Sequence, residues 1–407
     1  MSDPIVLAFS GGLDTSFCIP FLAEATGRPV VTVTVDTGGL DREAAQALAA
    51  RAQALGAADH VLVDARAAYF EKVLRFLIMG NVRRGQVYPL CVGAERVIQA
   101  QEVARAAARL GTRSVAHGCT AAGNDQVRFD VALRTLDPGL EVIAPVRDQP
   151  RPRAEQVAYL EERGLPVPPF GAAYSINRGL WGVTIGGKET LDSMASIPES
   201  AWVLSRGAFD APAGGRPAER HTVGFEAGVP VAFDGEALGP VELIERVEQA
   251  AASFGIGRGI HLGETILGIK GRVAFEAPAA EVLLTAHREL EKLTLTGRQI
   301  RVKETVASVY GDLVHEGQHL DPVCRDIEAL LVSSQERVTG EVRLLFRPGQ
   351  VFVEGVVSPH SLLAATKGVY GEAAGEWTAA DSRGFSRIAA MPGMLYVRAA
   401  STGKAAS

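Results

Sequence analysis

The chain has 407 residues, 22% of them charged and 47% hydrophobic, with a formal net charge of −6. That length exceeds what one ordinary core fills and predicts two domains plus a terminal extension, while the acidic balance argues against a nucleic-acid binder, whose surface needs an excess of Lys and Arg. Four scattered cysteines, Cys18, Cys91, Cys119 and Cys324, suggest neither a zinc ribbon nor a disulfide framework, and no stretch reaches the roughly 20 apolar residues of a membrane span, so the expected setting is cytoplasmic with no membrane partner and no export signal.

In chain order, the apolar run Ile5 to Phe9 leads into a Gly pair, and Thr15 to Ala25 reads as a helix stopped by Gly27. "PVVTVTVDTGG" is a β-branched strand, "DREAAQALAARAQALG" an amphipathic helix and "HVLVDA" a further strand. A helix over Glu95 to Leu110 follows, then the strands "SVAHG" and "LEVIAPV". This alternation predicts an α/β fold, a parallel sheet with helices on both faces that binds ligands beyond the carboxyl ends of its strands. Prolines clustered in "DQPRPR" and "GLPVPPFG" forbid regular structure there and suggest a linker. Beyond it, short strands in "HTVGFEAGVPVAF" and "VRLLFRPGQVFVEGVV" mix with helices at Gly239 to Ser253 and Pro278 to Leu293, as in an α+β domain. The expected division is 1–165, 166–360 and a C-terminal arm, 361–407, whose lack of a core pattern suits packing on a partner subunit or, alternatively, a poorly ordered tail.

Three stretches carry chemistry. In "SGGLDTS", the small residues Ser10, Gly11 and Gly12 let backbone N–H groups approach a phosphate, and Thr15 and Ser16 add hydroxyls at a helix N-terminus, where the dipole favours an anion. No Walker lysine is present, so this is not the kinase-type loop. Asp14 among those donors calls for a cation such as Mg²⁺; a tight turn with Asp14 as helix cap is the alternative. In "HGCTAAGNDQVRFD", Gly118 and Gly123, Thr120, Asn124, Asp125 and Arg128 combine donors and acceptors in a way that suits an amino acid; a surface turn with a salt bridge would look the same. His117 reads as structural. In "SINRGLWGVT", Ser175 either contacts substrate or caps a turn.

The motifs "AFSGGLDTS", "HGCTAAGNDQVRF", "SQERVTGEV" and "GQVFVEG", in this order and spacing, resemble the argininosuccinate synthase family of the N-type ATP pyrophosphatases over nearly the whole chain. The resemblance implies an adenine nucleotide alpha hydrolase-like nucleotide domain, a synthetase domain and an arm that reaches across a homotetramer. It also implies ATP on Ser10 to Ser16 with Mg²⁺, its adenine near Val35 and Asp36, and its phosphates close to Gly118. By similarity, aspartate is held by Thr120, Asn124 and Asp125. Tyr88, Asn124, Arg128, Ser175 and Thr184 serve a ureido or carbonyl acceptor, and Asp14, Asn124 and Arg128 act in the chemistry, with no dedicated protein metal site.

The chain departs from the family pattern where citrulline's amino-acid head would bind. A Thr and a Ser are replaced by Val92 and Gly93, a Ser by Thr184, a Glu by Gly263 and a Tyr by Phe275, while Ala121 and Ala122 stand for a Gly-Lys pair. An ammonium without its carboxylate would cost about 3–5 kcal/mol, unless Glu264 takes the place of the missing Glu. These departures lead to the expectation of a ligase joining aspartate to an acceptor other than free citrulline. The alternatives are a synthase acting on citrulline in arginine biosynthesis, and an inactive or binding-only relative.

Overall fold

A computed structural model describes residues 3–168, 174–210 and 216–404. Strands β1 (Ile5–Ala8), β2 (Val30–Asp36), β3 (Asp59–Asp64), β4 (Ser114–His117) and β5 (Glu141–Ile143) form a parallel sheet in the order β3-β2-β1-β4-β5. Helices α1 (Leu13–Thr26), α2 (Arg42–Ala54), α3 (Arg66–Tyr69), α4 (Arg75–Gly80), α5 (Arg96–Arg109), α6 (Asp125–Leu136), α7 (Pro145–Asp148) and α8 (Arg153–Glu161) accompany it. The alternation of buried β-branched runs with Ala-rich helices produces this layering, because a strand covered on both faces must be apolar throughout. Ile5, Val6 and Leu7 of β1 are fully buried, as expected for the central strand.

The described prolines of the two clusters lie outside regular structure, and α8 runs between the clusters with Pro152 at its N-cap. A ring there removes no helical hydrogen bond, so the position tolerates proline. Residues 165–168 are irregular, and the remainder of "GLPVPPFG" falls outside the described residues.

The rest of the chain to His360 is antiparallel. Strands β6 (Ser175–Gly179), β7 (Gly182–Gly186), β11 (Arg258–Glu264) and β12 (Lys270–Glu276) make a sheet in the order β11-β12-β7-β6. Strands β8 (Glu219–Glu226), β9 (Val229–Phe233), β10 (Glu236–Ala237), β13 (Gly340–Arg347) and β14 (Gln350–Val357) make another, in the order β10-β9-β8-β13-β14. Helices α9 (Pro240–Ala252), α10 (Pro278–Thr294), α11 (Gly297–His315) and α12 (Pro322–Gln335) complete this part. One apolar cluster runs from Val6 and Val33 through Trp181 to Leu283 and Leu344, so the parallel sheet and the antiparallel part share a core. Trp181 Nε1 donates to the buried carbonyl of Pro89 at 2.9 Å, fastening the β6–β7 hairpin to the segment before α5.

The chain divides into two compact units, the second beginning at Ser361. That unit holds α13 (Leu362–Ala365), α14 (Ala379–Ala389) and α15 (Met391–Lys404); α13 and α14 bury none of their residues. Among the described residues no helix is long and apolar enough to cross a membrane.

Candidate functional site

The strand order reverses between β1 and β4, which pair in parallel through Val6–Val115, Leu7–Ala116 and Ala8–His117. Loops leaving two such strands diverge and open a crevice between them. The loop after β1 enters α1 with Gly12 at its N-cap, and the loop after β4 enters α6. The two loops nearly touch: a Cβ on Gly118 would lie 2.9 Å from Thr15 Cγ2 and 3.0 Å from the Thr15 nitrogen. Only glycine fits there.

A cavity of about 440 Å³ occupies this crevice, lined by Ser10, Gly12, Asp14, Thr15, Val35 and Gly118 among others. The first N–H groups of α1 are free of helical partners, and the hydroxyls of Ser10 and Thr15 stand 3.3 Å apart beside them. Ser16 Oγ is buried with no hydrogen-bond partner among the described residues. Gly11 and Ser16 lie off the cavity lining. Asp14 Oδ1 accepts from Gln156 Nε2 at 2.9 Å. Free N–H groups and hydroxyls around one carboxylate fit a phosphate chain. Among the described residues no group of three or more His, Cys, Asp or Glu side chains is arranged to hold a metal ion.

A second cavity of about 240 Å³ is lined by Tyr88, Val92, Gly93, Asn124, Arg128 and Thr184, with His261 and His315 on the same wall. Asp125 and Asn177 line both cavities. Asn177, Thr184 and Phe275 are cross-strand partners in one row of the β6-β7-β12 sheet, which puts them on one face. Asn124 Oδ1 accepts from the Ile266 backbone N–H at 3.0 Å, tying the loop after β4 to the turn between β11 and β12.

Between the cavities two guanidinium groups grip one carboxylate. Asp125 Oδ1 lies 2.7 Å from Arg128 Nη1, and Oδ2 lies 3.0 Å from Arg96 Nη2. Burial alone would raise the Asp125 carboxyl, but Arg96 and Arg128 outweigh it and hold the group at about 2. Arg96 also meets Glu95 Oε1 at 2.8 Å. Burial pushes the Glu95 carboxyl up to about 7, against the pull of Arg96 and of a hydrogen bond from Thr37. His117 Nδ1 accepts from the Cys119 N–H and Nε2 donates to Asp130 at 3.0 Å, and the residue lines the first cavity.

Two residues assigned to substrates from sequence stand apart from the rest. Thr120 is exposed on the loop after β4, and Ser175 is exposed at the start of β6; neither lines the two cavities. Asn177, two residues further along the same strand face as Ser175, does line them. Glu264 lines the second cavity beside Gly263, and its carboxylate pairs with Lys270 at 3.0 Å with both side chains exposed. The space of a side chain at Gly263 is filled by His261, whose Nε2 would be 2.5 Å from a Cβ there. Its ring stacks on Tyr88 at 5.6 Å between centroids.

Sequence reasoning passed over Arg96, Asn177, His261 and His315. For Arg96 a signal existed: a cation in the first turn of a helix opposes the dipole and asks for an acid nearby. For the histidines none did, since each is a lone residue in an ordinary strand or helix.

Family comparison places these motifs. The family model described as Arginosuccinate synthase N-terminal HUP domain matches residues 4–166, and that described as Arginosuccinate synthase C-terminal domain matches residues 174–396. This chain belongs to the argininosuccinate synthase family. Among relatives bearing the name argininosuccinate synthase, that of Xanthomonas campestris pv. campestris is 44% identical over 406 residues, covering 98% of this chain and 99% of its own. The protein of Methanocaldococcus jannaschii is 39% identical over 357 residues, with 88% and 89% covered, and that of Metallosphaera sedula 37% identical over 399 residues, with 97% and 99% covered. Membership in the argininosuccinate synthase family makes the chain an ATP-dependent ligase that releases AMP and pyrophosphate, built on a HUP nucleotide domain.

Proposed function

We propose that the protein is an argininosuccinate synthase that joins aspartate to citrulline, acting in the cytoplasm in arginine biosynthesis. The observation that carries this reading is the shared wall: a phosphate-suited cavity and a second cavity meet at Asp125 and Asn177. The full-length relatives of the same name support citrulline as the acceptor over a different urea. The phosphates of ATP lie on Ser10 to Ser16, with the adenine towards Val35, and Asp14 would help hold Mg²⁺, which would offset the charge of the phosphates. The ureido oxygen of citrulline attacks the α-phosphorus as the bond to pyrophosphate breaks. The aspartate amine then adds to the activated carbon and AMP leaves, so one C–N bond is formed. Arg96, on the wall of the first cavity and fixed by Asp125, offers positive charge to the phosphates, the kind of preorganised stabilisation that speeds such steps, while Arg128, also fixed by Asp125, lines the second cavity. Asn124 and Asp125 serve aspartate; Tyr88, Asn124, Arg128, Thr184 and Asn177 serve the acceptor.

The test is pyrophosphate release with ATP, Mg²⁺ and aspartate, with and without citrulline, with the products weighed by mass spectrometry. Citrulline-dependent release with argininosuccinate formed is expected. A second reading, an acceptor without a free ammonium, is favoured by one feature: Val92, Gly93 and Gly263 bring neither hydroxyl nor carboxylate to the second cavity. Silence with citrulline and turnover of a urea lacking the amino-acid head would replace the first reading with this one.

A further inference from the structure

His315 closes α11 on the wall of the second cavity and is 7% exposed. Its Nδ1 faces Arg128 Nη2 at 3.3 Å. A guanidinium can only donate, so Nδ1 accepts and the proton of the neutral ring resides on Nε2. The ring is neutral because burial, and after it the nearby Arg128, Arg84 and His261, push its pKa down to about 3. Nε2 is buried and has no hydrogen-bond partner among the described residues. A buried N–H without an acceptor is costly and uncommon in folded proteins; the His315 ring belongs to the wall of the second cavity, so a ligand oxygen that reaches the Nε2 edge would satisfy it.

Which oxygen follows from placement. His315 lines only the second cavity, away from the wall where phosphate and ureido oxygen meet. The hydroxyl donors that a carboxylate needs are missing at Val92 and Gly93, and at Gly93 a Cβ would stand 3.1 Å from Arg128 Nη2, so that position yields its space to the guanidinium that His315 holds. We infer that His315 Nε2–H donates to the α-carboxylate of the acceptor and is a specificity-determining residue of this chain. The assignment rests on the citrulline reading above. His315 thereby takes over a task that neighbouring hydroxyls do not perform here, and it couples recognition of the head to the position of Arg128.

Two substitutions separate the two ring nitrogens. In His315→Asn the amide oxygen still accepts from Arg128 but nothing donates at the Nε2 position; in His315→Gln the longer side chain returns an amide donor there. Equilibrium dialysis of citrulline against the full chain, with steady-state kinetics for all three substrates, is expected to show weaker citrulline binding and a higher citrulline KM in His315→Asn, by about tenfold or more, the scale of a hydrogen bond to a charged group. ATP and aspartate KM stay within about twofold by the same reasoning, and His315→Gln recovers part of the loss. Wild-type protein prefers citrulline to its carboxamide, and His315→Asn does not. Unchanged citrulline binding in His315→Asn, retained preference for the carboxylate, or all three KM values moving together overturns the assignment. Wild-type protein that binds citrulline without making product defeats citrulline as the reacting acceptor while dialysis still judges His315; wild-type protein that does not bind citrulline defeats both.

Discussion

Arg96 Nη2 lies 3.0 Å from Asp125 Oδ2, joining the first residue of α5 to the first residue of α6 where the two cavities meet. With Arg128 on its other oxygen, Asp125 is the group that orients both cations.

Replacing Asp125 by Asn leaves two guanidinium groups with one carboxylate fewer. Breaking such a pair costs roughly 3–5 kcal/mol when fully buried; with a third of the Asp125 side chain exposed, a loss of about 2–3 kcal/mol in folding stability, together with a lower kcat/KM, is expected. The pH dependence of stability carries a second signature. A carboxyl held at about 2 when folded and near the ordinary value of about 3.9 when unfolded stabilises fully above pH 4 and loses that contribution as pH falls towards 2. Thermal unfolding should therefore show the wild-type advantage over Asp125→Asn constant from pH 7 to about 4.5 and shrinking below that. An advantage that does not depend on pH would contradict the charged pairing.

Glu95 has the opposite sign. Its folded pKa of about 7 lies above the unfolded value of about 4.3, so between those values the folded state binds the extra proton and stability falls as pH rises. Denaturation of wild type and Glu95→Gln between pH 5 and 8 should show the variant gaining on the wild type as pH increases. Parallel stability curves would mean that Glu95 is ionised throughout.

In the nucleotide cavity, Gly118→Ala would drive a methyl group against Thr15 and displace the start of α1. A rise in ATP KM of about tenfold or more is expected, from the 1–3 kcal/mol typical of overpacking, with citrulline and aspartate KM little changed. Ser16→Ala separates stability from binding. Removing a buried hydroxyl that has no protein partner should leave the melting temperature equal or higher, yet raise ATP KM if that hydroxyl serves a phosphate. Calorimetry alongside ATP titration reads both, and unchanged ATP KM would remove Ser16 from the phosphate site.

The arm carries Tyr370, Trp377, Phe385 and Tyr396 at 105%, 56%, 73% and 80% exposure. Apolar surface of this kind is normally covered by a partner, and we propose that the arm packs on another copy of this chain. Truncation after Ser361 should convert the assembly to smaller species by light scattering and leave residues up to His360 folded by circular dichroism. A tetramer that survives truncation would assign assembly to other surfaces.

Much of the nucleotide half is legible along the chain because its signals are local. An apolar run ending in Ser-Gly-Gly, then an acid and two hydroxyls, specifies strand, phosphate loop and the start of a helix within Ile5 to Ser16, and Ser114 to Arg128 again place a glycine-containing loop between a strand and a helix. The acceptor half is less legible. Val92, Gly93 and Gly263 read as missing groups, and Glu264 read as a possible replacement, because a sequence displays which side chains are present and not which space they enter.

By itself, then, the sequence determined the alternation of elements and the phosphate-suited loop, which depend on near neighbours, and the family, which rests on the order of four short motifs along the chain. Only the tertiary structure decided that Arg96 and Arg128 share Asp125, that His261 fills the place of a side chain at Gly263, that Asn177 rather than Ser175 faces the cavities, and that His315 presents an unpaired donor beside Arg128. The physical reason is range. Helix and strand patterns arise from local periodicity, whereas a binding wall is assembled from residues as far apart as Arg128 and His315, brought together by a shared core that no short stretch encodes.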